Sequence, residues 1–288
     1  MARTWVTLIC VAMVVGAVAV VCRLWNTRRV PTPATRAMPF QERLAITTGR
    51  TAGMITGAAV AGVIVIGAGG RLLMRVLAVT SPDAQGAVTD AEEVVGEVSV
   101  GGSVFLIGLV GLGAGLLGLV IFVGLRRWLP RRSTAAGVLG AAIGAGLLVR
   151  PSKLLSPDNP DFSILTPRAL AVGMCVGILV LFALTFGPLV DLLAARWPRP
   201  SLSVLGVASL LPFVLLVALS VAAPAVLLTM FATAWLGPIS GAAAAEPAQN
   251  DGNLKARPVD RLGRIAVFGL AALGGAVVLV SAGQILAG

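Results

Sequence analysis

Arg71 and Arg75 close one long apolar run of this chain, and Arg150 and Lys153 close another. A spacing of four residues puts Arg71 and Arg75 on one helix face. Two such basic pairs brought together would bind an anionic group, such as a lipid headgroup, through charge-assisted hydrogen bonds. The competing roles are ion pairing with nearby acids and snorkelling of the long side chains to a water interface. Asp83, Asp90, Glu92, Glu93 and Glu97 follow the first pair, and Asp158 and Asp161 follow the second. On a helix Asp90, Glu93 and Glu97 would share a face and could hold Ca²⁺ or Mg²⁺. Thr89-x-x-Glu92 reads as a capping box, and Val94 to Val100 reads as extended, which breaks that face. These acids are therefore expected as solvated loop residues and salt-bridge partners, with no metal site. At least one of Arg75 and Arg150 is expected to touch a carboxylate. Asp191 lies inside an apolar run, where proton-coupled transporters place such groups, with Arg196 as its expected interfacial partner. Gln284 reads as interhelical glue.

What is missing narrows the chemistry. The chain has no His and no Tyr, which removes imidazole triads, proton relays and His-ligated metals. Cys10, Cys22 and Cys175 lie in or beside apolar runs without a CxxC spacing. No P-loop and no GxSxG elbow occurs. No catalytic residue and no cofactor is assigned, and an enzyme is the less expected class.

The elements that carry these residues follow from composition. Of 288 residues, 57% are hydrophobic and 12% charged, against about 25% charged in a soluble domain. Mean hydropathy is +0.97. A water-facing shell could not be built from so few charges, so the chain is expected to be an all-α bundle of membrane spans. The net charge of +10 does not point to nucleic acid. The basic residues cluster in short loops beside apolar runs, where they set topology. Lys153 and Lys255 are the only lysines. With the abundance of Ala, Gly and Val, this fits a GC-rich bacterial genome and the cytoplasmic membrane.

Apolar runs occupy 5–22, 53–72, 102–124, 134–149, 169–193, 202–236 and 264–286. The 202–236 run is long enough to be split near Ser220 to Pro224, giving about eight spans; seven is the alternative. Segments 23–52, 126–133 and 194–201 are Arg-rich, whereas 79–100 holds five acids and no base. The first group is expected in the cytoplasm, with the N-terminus outside. Lys255, Arg257 and Arg261 put 237–263 in the cytoplasm too, and favour eight spans. Trp25, Trp128, Trp197 and Trp235 then mark cytoplasmic ends. The first span resembles a signal peptide, but the arginines after it favour an uncleaved anchor. The resulting organisation is an anchor and basic segment at 1–52, a bundle at 53–236, a flexible cytoplasmic linker at 237–263 and a last helix at 264–288.

Residues 62–83 align without gaps on 137–158, with nine identities in 22 positions. Arg75 pairs with Arg150, and Ser81-Pro82-Asp83 with Ser156-Pro157-Asp158. Spans 2–3 and 4–5 would then be parallel repeats about an axis along the membrane normal. The stripes Gly53-x3-Gly57-x3-Ala61, Gly111-x3-Gly115 and Gly140-x3-Gly144 predict close helix pairs. Pro188, Pro212 and Pro224 predict kinks or helix ends. Thr166 reads as the N-cap of span 5.

The stretch Gly70-Arg71-Leu72-Leu73-Met74-Arg75, with Thr80 to Asp83, Val88-Thr89-Asp90 and Gly101-Gly102, resembles a group of multi-pass actinobacterial membrane proteins. Asp158-Asn159-Pro160-Asp161-Phe162, with Leu165 and Pro167, extends the resemblance across about residues 55–195. It implies a polytopic membrane protein and brings no activity or site residue with it. Three functions are open. The first is a permease-like or small-anion or lipid-binding protein with an outer site. The second is a scaffold or accessory subunit for other membrane helices. The least expected is an enzyme using outer-loop carboxylates. A polar cavity on the repeat axis would favour the first; a solid centre with an exposed apolar groove would favour the second.

Overall fold

The computed structural model describes residues 2–25, 39–87, 94–95, 99–130, 132–148, 155–156, 158–159, 161–198 and 258–287. Its elements in chain order begin with α1 (Ala2–Leu24) and α2 (Phe40–Ala61). A wide π turn, π1 (Gly62–Ala68), carries α2 into α3 (Gly69–Thr80). A second hairpin arm runs α4 (Val100–Val104), π2 (Phe105–Val110) and α5 (Gly111–Leu125). Then come α6 (Ser133–Leu148), the short α7 (Asp161–Ile164), α8 (Arg168–Arg196) and α9 (Pro258–Ala287). Five helical stretches are long and apolar enough to cross a membrane: Thr7–Leu24, Ala45–Thr80, Gly101–Leu125, Arg168–Arg196 and Asp260–Ala287. Ser133–Leu147 is a sixth, shorter apolar helix. The protein is all-helical over the described residues and built as a membrane protein. The 202–236 run, with Pro212, Pro224 and Trp235, lies outside them.

Helices overrun the apolar runs. α2 starts at Phe40, well before the expected boundary at residue 53, and α9 starts at Pro258 rather than 264. Hydrophobicity marks where lipid begins, but a helix satisfies its own backbone in lipid and water alike, so it need not stop there. α8 also runs through Pro188 without ending.

Contacts fix the directions. Gly53 and Gly57 of α2 approach the backbone of Ala194 and Leu189 of α8, so these helices are antiparallel. Gly62 approaches Gly111 and Gly115 approaches Ala58, so α2 and α5 are antiparallel too. Gly137 of α6 meets Gly187 of α8, and Gly146 meets Gly274 of α9. The α2–α3, α5, α6 and α8 helices form a ring of four, with α1 and α9 outside it. The Gly-x3-Gly stripes of α2 and α5 mediate contact as expected. In α6 Gly144 meets Ile121 of α5, but Gly140 faces open space, and Gly137 and Gly146 carry the backbone-close crossings. Composition alone cannot choose among glycines on one helix.

One end of the bundle collects Arg50, Arg126, Arg127, Asp191 and Asp260; we call it the basic end. The Thr134 hydroxyl donates to the Trp25 carbonyl there, and Trp128 lies against Gly263. Trp197 ends α8 at the same level. The opposite, loop end holds Arg71, Ser81, Ser99 and Thr166. α8 therefore arrives at the basic end, and α9 departs from it.

The ring's centre is filled. Val65, Leu116, Leu119, Phe122, Phe186 and Val190 are buried there. Phe122 and Phe186 meet edge-on at 5.7 Å, and Phe182 and Phe186 at 5.2 Å. A second cluster of Leu77, Leu155, Phe162, Val172 and Ile285 ties the loop end together.

Arg127 Nη2 lies 2.9 Å from Asp260 Oδ1, with both side chains well exposed. Solvent and salt screen such a pair. Asp260→Asn is therefore expected to change stability by less than about 1 kcal/mol, measured by thermal unfolding in detergent.

Candidate functional site

Two polar constellations sit at opposite ends of the bundle. Arg50 and Arg71 lie on the same continuous helical stretch, 21 residues apart in sequence. At about 1.5 Å per residue that is roughly 31 Å, close to the hydrocarbon thickness of a bilayer. Such a spacing is compatible with one arginine near each membrane boundary.

At the loop end, α3 carries Arg71 inward. Its side chain is only 7% exposed. Nη2 donates to the Ser99 carbonyl at 3.2 Å, and Nη1 approaches the Met74 sulfur at 3.9 Å. Nε is buried with no hydrogen-bond partner. Cys10 of α1 lies within electrostatic reach. Ser99 serves twice: its carbonyl holds Arg71, and its hydroxyl accepts from the Gly102 amide at 3.0 Å, capping α4. A buried guanidinium with an unmet donor is costly in an apolar setting. A carboxylate or phosphate oxygen would supply what is missing.

Arg75, one turn further on, is half-buried and makes no ion pair among the described residues. Asp83 and Asp158 are exposed, and neither meets Arg75. The Asp158 amide donates to the Ser156 hydroxyl at 3.3 Å. The Asp161 amide donates to Asn159 Oδ1 at 2.9 Å, at the start of α7. Arg150, Lys153, Asp90, Glu92, Glu93 and Glu97 lie outside the described residues, and so does the Arg150 half of the expected carboxylate contact. Among the described residues no three Cys, Asp or Glu side chains gather as a metal site.

Ser81 is a residue whose partner the sequence did not disclose. It is fully buried and donates to the Thr166 carbonyl at 2.6 Å, while the Thr166 amide donates back at 2.9 Å. These two hydrogen bonds pin the end of α3 to the start of α8. Thr166 is thereby not the N-cap of α8; Pro167 occupies that position without a side-chain cap. Its repetition in Ser-Pro-Asp was the only signal for Ser81.

At the basic end Asp191 is 4% exposed and accepts a 2.7 Å hydrogen bond from the Ser133 hydroxyl, itself fully buried. Ser133 opens α6, whose N-terminal dipole faces the carboxylate. Arg50 of α2 and Arg126 beyond α5 complete the group: Arg50 is electrostatically coupled to both Arg126 and Asp191. Arg126 also approaches the Met54 sulfur at 3.3 Å. Arg196, the expected partner of Asp191, is exposed at the end of α8. Five residues of helix turn it well away from the Asp191 face. The contributing groups come from four different segments, which no local spacing could reveal.

No family model, curated protein or solved structure matches this chain.

Proposed function

We propose that the protein binds an anionic group at the loop end, with Arg71 as the principal ligand and Arg75 beside it. The observation that carries this reading is the buried Arg71 guanidinium, whose Nε lacks a partner. At a membrane boundary Arg71 would meet lipid headgroups and free anions alike, and the two share the chemistry. Arg150 and Lys153 would join the site if 62–83 and 137–158 are structural repeats. Reciprocal packing supports that repeat: Gly62 meets α5 and Gly69 meets α8, whereas the equivalent Gly137 meets α8 and Gly144 meets α5.

A purified sample should carry phosphatidylglycerol in native mass spectrometry after reconstitution with it. Arg71→Gln should weaken that retention by roughly tenfold to a hundredfold, the loss of one charge-assisted contact. Inorganic phosphate raising the unfolding temperature equally well would assign the site to a free anion. Undiminished retention and no phosphate effect in the Arg71 variant would defeat the reading.

The filled ring favours a second function. Among the described residues Phe122, Phe186 and Leu119 fill the axis, which speaks against a central permeation path. The exposed apolar faces of α1 and α9, with Trp5, Ile9, Val15, Leu273 and Leu279, fit a scaffold for other membrane helices as well as contact with lipid.

For topology we propose the bacterial cytoplasmic membrane, with the basic end in the cytoplasm and the N-terminus outside. Arg50, Arg126, Arg127 and Arg196 on that side support this by the positive-inside rule. α8 ends and α9 begins at the same end, which supports about eight spans over the seven-span alternative; the 202–236 run on which the count turns lies outside the described residues. In a background with Cys10, Cys22 and Cys175 replaced by Ala, an impermeant maleimide on intact cells should label a Cys at position 79 and spare one at 250. The reverse pattern would invert the topology.

A further inference from the structure

Arg71 is tied through the Ser99 carbonyl to a segment whose first turn packs little against the rest of the bundle. π2 lies across π1 and α3, α4 packs chiefly on π2, and π2 contains no fully buried residue. Val104, Phe105 and Leu109 face outward, exposed by 66%, 58% and 48%. By contrast, α3 is fixed by Leu77 in the loop-end cluster and by the paired bonds between Ser81 and Thr166. Beyond Gly111 the chain is fixed again, since α5 contributes Leu112, Leu116, Leu119 and Phe122 to the core. The loosely held segment thus joins the firm one at a π turn.

That junction is built to bend. A π turn absorbs one extra residue with wider, poorer hydrogen bonds, and exchanges for α geometry without breaking the helix. Here two π turns face each other in antiparallel helices. A Cβ at Gly67 of π1 would stand 2.7 Å from Ile107 Cα of π2, so only glycine permits the approach. Gly108, inside π2, has open space around it. The tie across the loop end of this interface is the 3.2 Å hydrogen bond from Arg71 to the Ser99 carbonyl.

We infer that Val100 to Val110 is a lateral gate over Arg71, hinged at π2 and Gly111 and latched by the Arg71–Ser99 hydrogen bond. Swinging it outward uncovers the guanidinium to the surrounding lipid layer. An anion taking the Nη donors would replace the Ser99 carbonyl and hold the gate open. The purpose of opening rests on the anion-binding reading; the motion does not, and it can be measured without any anion.

Electron spin distance measurements decide the matter, on the full chain in nanodiscs of zwitterionic lipid with the native cysteines replaced by Ala. Labels at Val104 and Val180 span gate and body, and labels at Val180 and Leu279 span two fixed helices. The gate pair should show a second, longer component that the body pair lacks. Arg71→Met, which removes the latch and keeps the bulk, should raise the open-to-closed ratio about tenfold or more. Deleting Leu106 should convert π2 to an α turn and remove the longer component. A single narrow gate distance in the wild type, unchanged by Arg71→Met, would overturn the gate. That comparison stands even if the deletion fails to fold. Lipid retention lost in Arg71→Met alongside an immobile gate would sink the gate and keep the anion site. A moving gate with unchanged retention would do the opposite.

Discussion

Gly187→Ala is expected to lower the unfolding temperature of the protein sharply, while Gly177→Ala in the same helix raises it. Both sit in α8, so helix propensity alone predicts the same gain for each, up to about 1 kcal/mol. Their surroundings differ. A Cβ at Gly177 meets nothing within 4 Å. A Cβ at Gly187 would drive into the Ser133 carbonyl and stand 3.0 Å from the Gly137 amide nitrogen. Those neighbours are backbone and cannot rotate aside, so α6 and α8 must separate. Overpacking of this kind costs about 1–3 kcal/mol. The same separation stretches the Ser133–Asp191 hydrogen bond, which adds to the loss. The propensity gain is common to both, so the two variants should differ by the packing cost, about 1–3 kcal/mol, plus the loss from the stretched hydrogen bond. Thermal or denaturant unfolding in one detergent measures this directly. Equal shifts would mean that the α6–α8 crossing is not backbone-close.

The contrast shows what the sequence could and could not disclose. Apolar runs located every described span, because hydrophobicity reports the solvent each helix faces. The stripe rule found Gly53, Gly57, Gly111 and Gly115, but chose Gly140 where Gly137 and Gly146 make the backbone-close contacts. Which glycine faces a neighbour depends on how the helices are rotated, and a chain so rich in glycine does not encode that locally. Arg71 was legible as a charge misplaced at an apolar helix end. Its burial behind Ser99 was not, since Ser99 lies 28 residues away. The π turns left no sequence signal: π1 and π2 read as uninterrupted apolar helix. Asp191 was legible as an intramembrane acid, yet its partner was sought in Arg196, its neighbour in sequence. Helix ends meet in space according to topology, so the nearest residue in sequence was the wrong place to look.

The Asp191 group carries the other large expected effect. Asp191→Asn should cost more than Ser133→Ala, although both touch the same hydrogen bond. Ser133→Ala removes a donor to a charged acceptor, about 1.5–3 kcal/mol. Asp191→Asn keeps the shape and still accepts from Ser133, but deletes a negative charge that acts on Arg50. Removing a counter-charge from a cation costs up to about 3–5 kcal/mol when burial is complete, and less where water or other partners reach the cation. Arg50 is only partly exposed, so most of that penalty should survive. The double variant Arg50→Gln with Asp191→Asn separates charge from packing. If the charge balance is what matters, removing both partners restores much of the stability lost in Asp191→Asn alone, with a coupling of 1 kcal/mol or more on the order expected for contacting residues. Additive losses would show that Asp191 acts through Ser133 and the α6 N-terminus alone. A more stable Asp191→Asn protein would show the carboxylate held there against stability, as a buried functional acid is.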